Sequence, residues 1–330
     1  MKPHTEPAAT AVLQRWLDAG ANHDAEYADG LSNHLPMALV ALHRLGAGAE
    51  RLQALAAAYA QRLRPARAAQ AWVAGDAWAS RLGEPAAWPA YRDLFSAWLE
   101  CEDAGAVLGA VLPRLMAGCG AAAFHGLIRT AYAVQSAQRR ELADALAYWA
   151  CSWVDAGPEL AIVATEHDAA DVLRRLPLPS PPPAGRLISQ RMALVQAQPG
   201  FAAAAARLRV DAGTPEVLAR GAAELYAASG NFTVLHMLTS AHALRVLLPF
   251  VEAPLPAVGA YWRAYAAAWV ASSARDRGAA PLRPWAAIVA FARASDDEHV
   301  VKLVDSCREQ EHAYGGDVWR RAASRVLATG

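Results

Sequence analysis

An all-α fold is what this sequence predicts, on three observations. Alanine is abundant along all 330 residues, and apolar residues recur at spacings of three and four rather than two. No run of alternating Val, Ile and Thr bounded by hairpin turns occurs. The chain is also long enough, and at 55% hydrophobic apolar enough, to bury a large core. Residues 51–63 illustrate the pattern, with Leu52, Leu55, Tyr59 and Leu63 on one helical face. The same periodicity predicts helices at roughly 8–19, 35–45, 66–81, 88–101, 125–152, 186–209, 214–228, 234–250, 258–275, 283–294 and 297–328. The least charged stretch, Ala104 to Ile128, is broken by Pro113, Arg114 and glycines, so it reads as a buried helix pair and not a membrane span. Proline-rich residues 177–185 cannot be helical and should run extended over the surface. Candidate site residues fall on both sides of that loop, which favours one domain over residues 1–330.

Composition excludes several functions. Net charge is zero with no basic stripe, which argues against nucleic acid as a partner. Cys101, Cys119, Cys151 and Cys307 form no Cys-x-x-Cys pair and read as buried small hydrophobes in a reducing compartment. The first residues show no apolar run behind a positive charge, so a cytoplasmic location away from membranes is expected. Gly46-Ala47-Gly48 follows a helix and no strand, a poor dinucleotide fingerprint. No Gly-x-Ser-x-Gly or Walker sequence occurs. A second copy of the chain and a separate reductase are the protein partners left open.

One lysine stands out against the chain's bias. Of 31 basic residues only Lys2 and Lys302 are lysine. A lysine amine can lose its proton when buried and act as a nucleophile, which a guanidinium cannot. The neutral amine can also add carbon dioxide to become a carbamate, an oxygen ligand for a metal. His299 lies three residues earlier, on the same face of a helix. The bland alternative is a lysine snorkelling at the surface.

Four of the ten histidines share a setting. His34 precedes Pro36, where a helix should start with Ser32 or Asn33 as cap. His125 follows the break at Gly118 and Gly120, His236 follows Gly230, and His299 follows Ser295-Asp296-Asp297. Each could be a core histidine bonded to a carbonyl, but neutral imidazole is also the commonest metal ligand. His242 lies about 120° round the helix from His236, better placed to line a pocket or act on a substrate than to share an ion with it. His4, His23, His167 and His312 have polar surroundings, and His43 ends its helix, where a positive charge would suit the dipole. Asp296-Asp297-Glu298 reads as a helix cap, with Glu298 able to orient a neighbouring imidazole.

Ser32-Asn33-His34-Leu35-Pro36-Met37-Ala38, His125-Gly126-Leu127-Ile128-Arg129, Leu235-His236-Met237-Leu238-Thr239-Ser240-Ala241-His242 and His299-Val300-Val301-Lys302, in that order, resemble the questin oxidase-like family. The resemblance runs from about residue 24 to 310. It implies a mostly helical oxygenase of the kind that opens anthraquinone rings in aromatic polyketide pathways. It further implies a mononuclear non-haem Fe(II) held by four histidines and a carbamylated lysine, with dioxygen as co-substrate. On this chain those ligands match His34, His125, His236, His299 and Lys302, with His242 in reserve. A small aromatic substrate would then be held by Met37, Phe232 and Met237, with Thr239 and Ser240 as polar contacts.

Two other readings compete. Histidines with a carbamylated lysine also serve metal-dependent hydrolases, but these need a His-x-His pair at the end of a barrel strand, which this sequence lacks. A non-catalytic helical scaffold would call for a repeat of 30 to 47 residues, and no such period is clear.

Overall fold

In the computed structural model, residues 6–68, 72–75, 77–156, 160, 164–278 and 280–328 are described. Lys2 and His4 lie outside them. Helix α1 (Pro7–Gly20) leads into a hairpin of two-residue strands, β1 (Glu26–Tyr27) and β2 (Leu31–Ser32), then α2 (Leu35–Arg44) and α3 (Ala49–Ala60). After two short 3-10 turns come α4 (Trp88–Cys101), α5 (Ala104–Leu115), α6 (His125–Ser136) and α7 (Arg139–Ser152). Next follow α8 (Ala169–Arg174), α9 (Ile188–Gln196), α10 (Phe201–Ala205), α11 (Thr214–Ser229), α12 (Phe232–Leu247) and α13 (Pro254–Ser272). The last three are α14 (Trp285–Ala294), α15 (Glu298–Tyr314) and α16 (Val318–Ser324). The hairpin is the only sheet among the described residues, so the barrel strands a hydrolase of the rival kind needs are absent from them. No helix among them is long and apolar enough to cross a membrane.

Four helices form the centre. Helix α2 packs on α6, α6 on α12, α12 on α15, and α15 back on α2, closing a quartet. Burial explains why these four sit inside. Leu35 to Leu42 of α2 are buried without interruption, as are Thr233 to Leu244 of α12. A helix apolar all round has no face to offer water. The quartet is parallel, because Arg44 at the far end of α2 meets Asp305 and Glu309 of α15, while His34 meets residues at α15's start. Long connections through the outer helices make that parallel order possible. On one flank α7 and α4 pack behind α6, tied by buried ion pairs of Arg129 with Glu141 (2.7 Å) and Arg92 with Asp144 (2.6 Å).

Several expected boundaries are corrected. Residues 66–81 hold only a 3-10 turn at Trp78–Arg81 among their described positions. There the chain is drawn off by Pro65, which bridges to His23, and by Arg67, whose guanidinium clasps the buried Asp24 carboxylate. The helix expected at 125–152 is two, split where Ala137 takes φ 55°. The one at 186–209 divides at Gly200 (φ 81°) into α9 and α10, and 297–328 divides at Gly315 and Gly316. His23 is half-buried, not a surface residue. Burial and the Arg44 charge lower the pKa of His43, which meets Thr10 at 3.2 Å instead of serving as a helix-end cation.

Gly126 shows how tightly the central layer is set. A Cβ there would lie 2.7 Å from Cβ and Cγ of Trp149 on α7 and 2.8 Å from its Cα. Backbone cannot yield as a flexible side chain would, so Gly126→Ala should push α6 off α7. Expected is a loss of about 1–3 kcal/mol in a denaturant titration, with the fold retained.

Candidate functional site

The four quartet helices all begin at one end, and each brings a histidine there. His34 is the residue before α2, His125 the first of α6, His236 lies in the second turn of α12, and His299 is the second residue of α15. Local chemistry starts each helix at that point. Asn33 Oδ1 accepts from Leu35 N (3.0 Å), so the cap foreseen at Ser32 or Asn33 acts from Asn33. Asn231 Oδ1 accepts from Thr233 N (2.9 Å) and Asp297 Oδ1 from His299 N (2.8 Å). The start of α6 is different. Ala122, Ala123 and Phe124 all take left-handed backbone, at φ 46°, 56° and 68°, with no glycine among them. Each such residue costs about 1–2 kcal/mol. The turn thus aims His125 at the expense of stability.

The rings close a circuit. Centroids are 4.7 Å apart for His34 and His125, 5.0 Å for His125 and His236, 5.5 Å for His236 and His299, and 4.7 Å for His299 and His34. In every ring Nδ1 is spoken for by an oxygen. His125 Nδ1 meets the Ala122 carbonyl, and His236 Nδ1 meets the Phe232 carbonyl at 2.9 Å. His34 Nδ1 lies 3.2 Å from Glu298 Oε1, and His299 Nδ1 lies 3.2 Å from Asp297 Oδ1. That leaves Nε2 of each ring for other work. The Nε2 atoms of His34 and His125 are 2.6 Å apart, and His299 Nε2 is buried without a partner among the described residues.

Lys302 is buried on α15, one turn after Glu298. Burial lowers its pKa to about 8, against the opposing pull of the Glu298 and Asp297 charges. Burial, with Lys302 and the other rings as neighbours, also holds all four imidazoles below their ordinary range, His125 at about 3. They are therefore neutral near pH 7, the form that donates a lone pair to a metal.

His34, Glu298 and His299 can also bring one ligand atom each within 4.8 Å of one another. Glu298 Oε1, however, lies on the Nδ1 side of both rings, 3.2 Å from His34 and 3.8 Å from His299. It is better placed to orient them than to compete with their Nε2 atoms.

Other expected site residues lie elsewhere. His242 sits deeper in the quartet, with Nδ1 3.1 Å from Ser306 Oγ and Nε2 3.2 Å from Gln135 Nε2. Tyr132, Asp305 and Arg44 share this second polar layer, which sequence reasoning missed, although its members follow His125 and His299 by about two turns. Met37 and Met237 are wholly buried. Thr239 and Ser240 are buried; the Thr239 hydroxyl donates to the Leu235 carbonyl, and Ser240 Oγ bonds the Met237 carbonyl and Tyr261. Phe232 alone among the expected contacts is exposed, at 53%, with its ring 4.8 Å from those of both His236 and His299. The open side of the cluster is thus the Phe232 side.

A family model described as Questin oxidase-like matches residues 31–227 and 203–307, a span that holds all four rings and Lys302. The chain belongs to the questin oxidase-like family. Membership implies an oxidoreductase. No curated protein matches the chain.

Proposed function

We propose that this questin oxidase-like protein is a non-haem iron oxygenase that oxidises a ring of an anthraquinone-like substrate with dioxygen. The observation that carries the reading is the set of four neutral imidazoles, each with Nδ1 anchored on oxygen and Nε2 left over, around a buried lysine. The buried, unsatisfied Nε2 of His299 supports the fit of a cation there. Imidazole nitrogens with one hard oxygen suit Fe(II), held by His34, His125, His236, His299 and carbamylated Lys302. When bound, ferrous iron supplies the one-electron chemistry that activates dioxygen.

The chain's own groups prepare that chemistry. The neutral Lys302 amine attacks carbon dioxide, forming an N–C bond and releasing one proton. Burial favours the neutral amine that this step needs. Four helix starts, each worth roughly half a positive charge, surround the cluster, so an anionic carbamate suits the place better than an ammonium. Asp297 and Glu298 fix the rings of His299 and His34 in one tautomer. Phe232 presents an aromatic face at the open side, against which a flat ring system can stack.

Anaerobically prepared protein should hold about one iron per chain. With a hydroxylated anthraquinone it should consume dioxygen, and isotope-labelled dioxygen should leave label in a ring-opened product detected by mass spectrometry. Stoichiometric zinc, hydrolytic activity and no oxygen uptake would move the assignment to a metal-dependent hydrolase.

A further inference from the structure

The start of α9 ties together two segments that lead into the cluster, the hairpin turn ahead of His34 and the first turn of α12 beside Phe232. Arg186 donates to the carbonyl of Asp29 in the hairpin turn, next to which Leu187 packs against Gly30. Arg191 reaches the other segment, donating from NH2 to Thr233 Oγ1 at 3.1 Å, one residue from Phe232. Its NH1 donates to the Gly185 carbonyl at 3.2 Å, and its Nε is buried with no acceptor among the described residues. Both guanidiniums therefore bond only neutral oxygens among those residues. The arginines of the quartet and its flank differ, since Arg44, Arg92 and Arg129 each face a carboxylate.

A guanidinium with spare donors offers a planar fork that matches an oxyanion. Beyond the helix starts, whose effect fades within about one turn, the neighbourhood offers an anion little. The four rings are neutral, and Asp297 and Glu298 would repel negative charge. We propose that Arg191 is the anion-recognising residue of this site, which selects an aromatic substrate bearing a carboxylate or ionised phenol. The inference rests on the oxygenase reading for the aromatic part of the substrate, while the charge preference rests on Arg191 itself.

Calorimetric titration of the full-length protein with anthraquinone-2-carboxylate and the neutral anthraquinone-2-carboxamide tests this. The wild type should bind the carboxylate about tenfold tighter. Arg191→Gln removes the charge and keeps a polar amide, and should lose that preference while its carboxamide affinity stays within about twofold. Arg191→Lys should keep part of it. Titration of 2-hydroxyanthraquinone on either side of its phenol pKa tells the two sources apart: tighter binding on ionisation adds phenolate to the anions recognised, and its absence confines recognition to carboxylate. A carboxylate preference that survives in Arg191→Gln overturns the proposal. So does equal weakening of both probes, which would make Arg191 a structural tie. If the wild type binds no anthraquinone, the aromatic reading falls and takes this inference with it.

Discussion

Lys302→Arg should leave a folded protein that holds no iron and oxidises nothing. The side chain is buried, so the substitution places an always-charged guanidinium where the amine can be neutral. No carbamate can form on it, and its fixed positive charge would repel a metal cation at the four rings. Overpacking should cost about 1–3 kcal/mol, too little to unfold a well-packed chain of this size. Metal analysis, oxygen uptake and circular dichroism on the same preparation check this. Lys302→Ala should also be inactive, with partial recovery when a small carboxylate is added, and wild type reconstituted without bicarbonate should be slow to activate. A fully active Lys302→Arg protein would end the carbamate proposal.

Replacing His125 and His236 together by Ala should abolish stoichiometric iron binding. Loss of even an outer partner of a ligand weakens metal binding about 10- to 100-fold. Removing two of the rings themselves should do more. The Ala122 carbonyl keeps the backbone N–H of residue 125, and Phe232 begins α12, so the loss falls on the rings and their packing and the fold should be retained. Glu298→Gln offers the milder comparison, because it keeps an oxygen near His34 Nδ1 and removes only the charge. An undiminished iron content in the double variant would show that the rings are not ligands.

Much of this was legible in the chain because helices with long apolar faces announce themselves. Periodicity located α1 to α4, α11 to α14 and the start of α15 to within a few residues, and glycine or cap chemistry marked where His125, His236 and His299 enter their helices. The rotation along α12 placed His242 away from His236, and its ring indeed belongs to a separate layer. What escaped notice was local conformation without a residue signature. Nothing in Ala122-Ala123-Phe124 advertises left-handed backbone, and nothing in Ala137 advertises a helix break. Two-residue strands are too short to show alternation. Residues 66–81 mimicked a helix because alanine and tryptophan fell at helical spacing, while long-range ties at His23 and Asp24 decided their path. That the Thr239 and Ser240 hydroxyls bond carbonyls of their own helix is likewise a matter of rotamer, which spacing does not show.

The ring-bearing helices are drawn from positions 34, 125, 236 and 299, spread along nearly the whole chain. No contiguous half of the polypeptide contains the cluster, so no fragment lacking either half can assemble it. Contacts of such sequence separation form late and slowly, because loop closure precedes any reward from packing. Were the cluster to hold iron as proposed, its capture would require α15 docked against α2. On that reading, a chain in which α15 has not met α2 would carry no metal able to activate dioxygen.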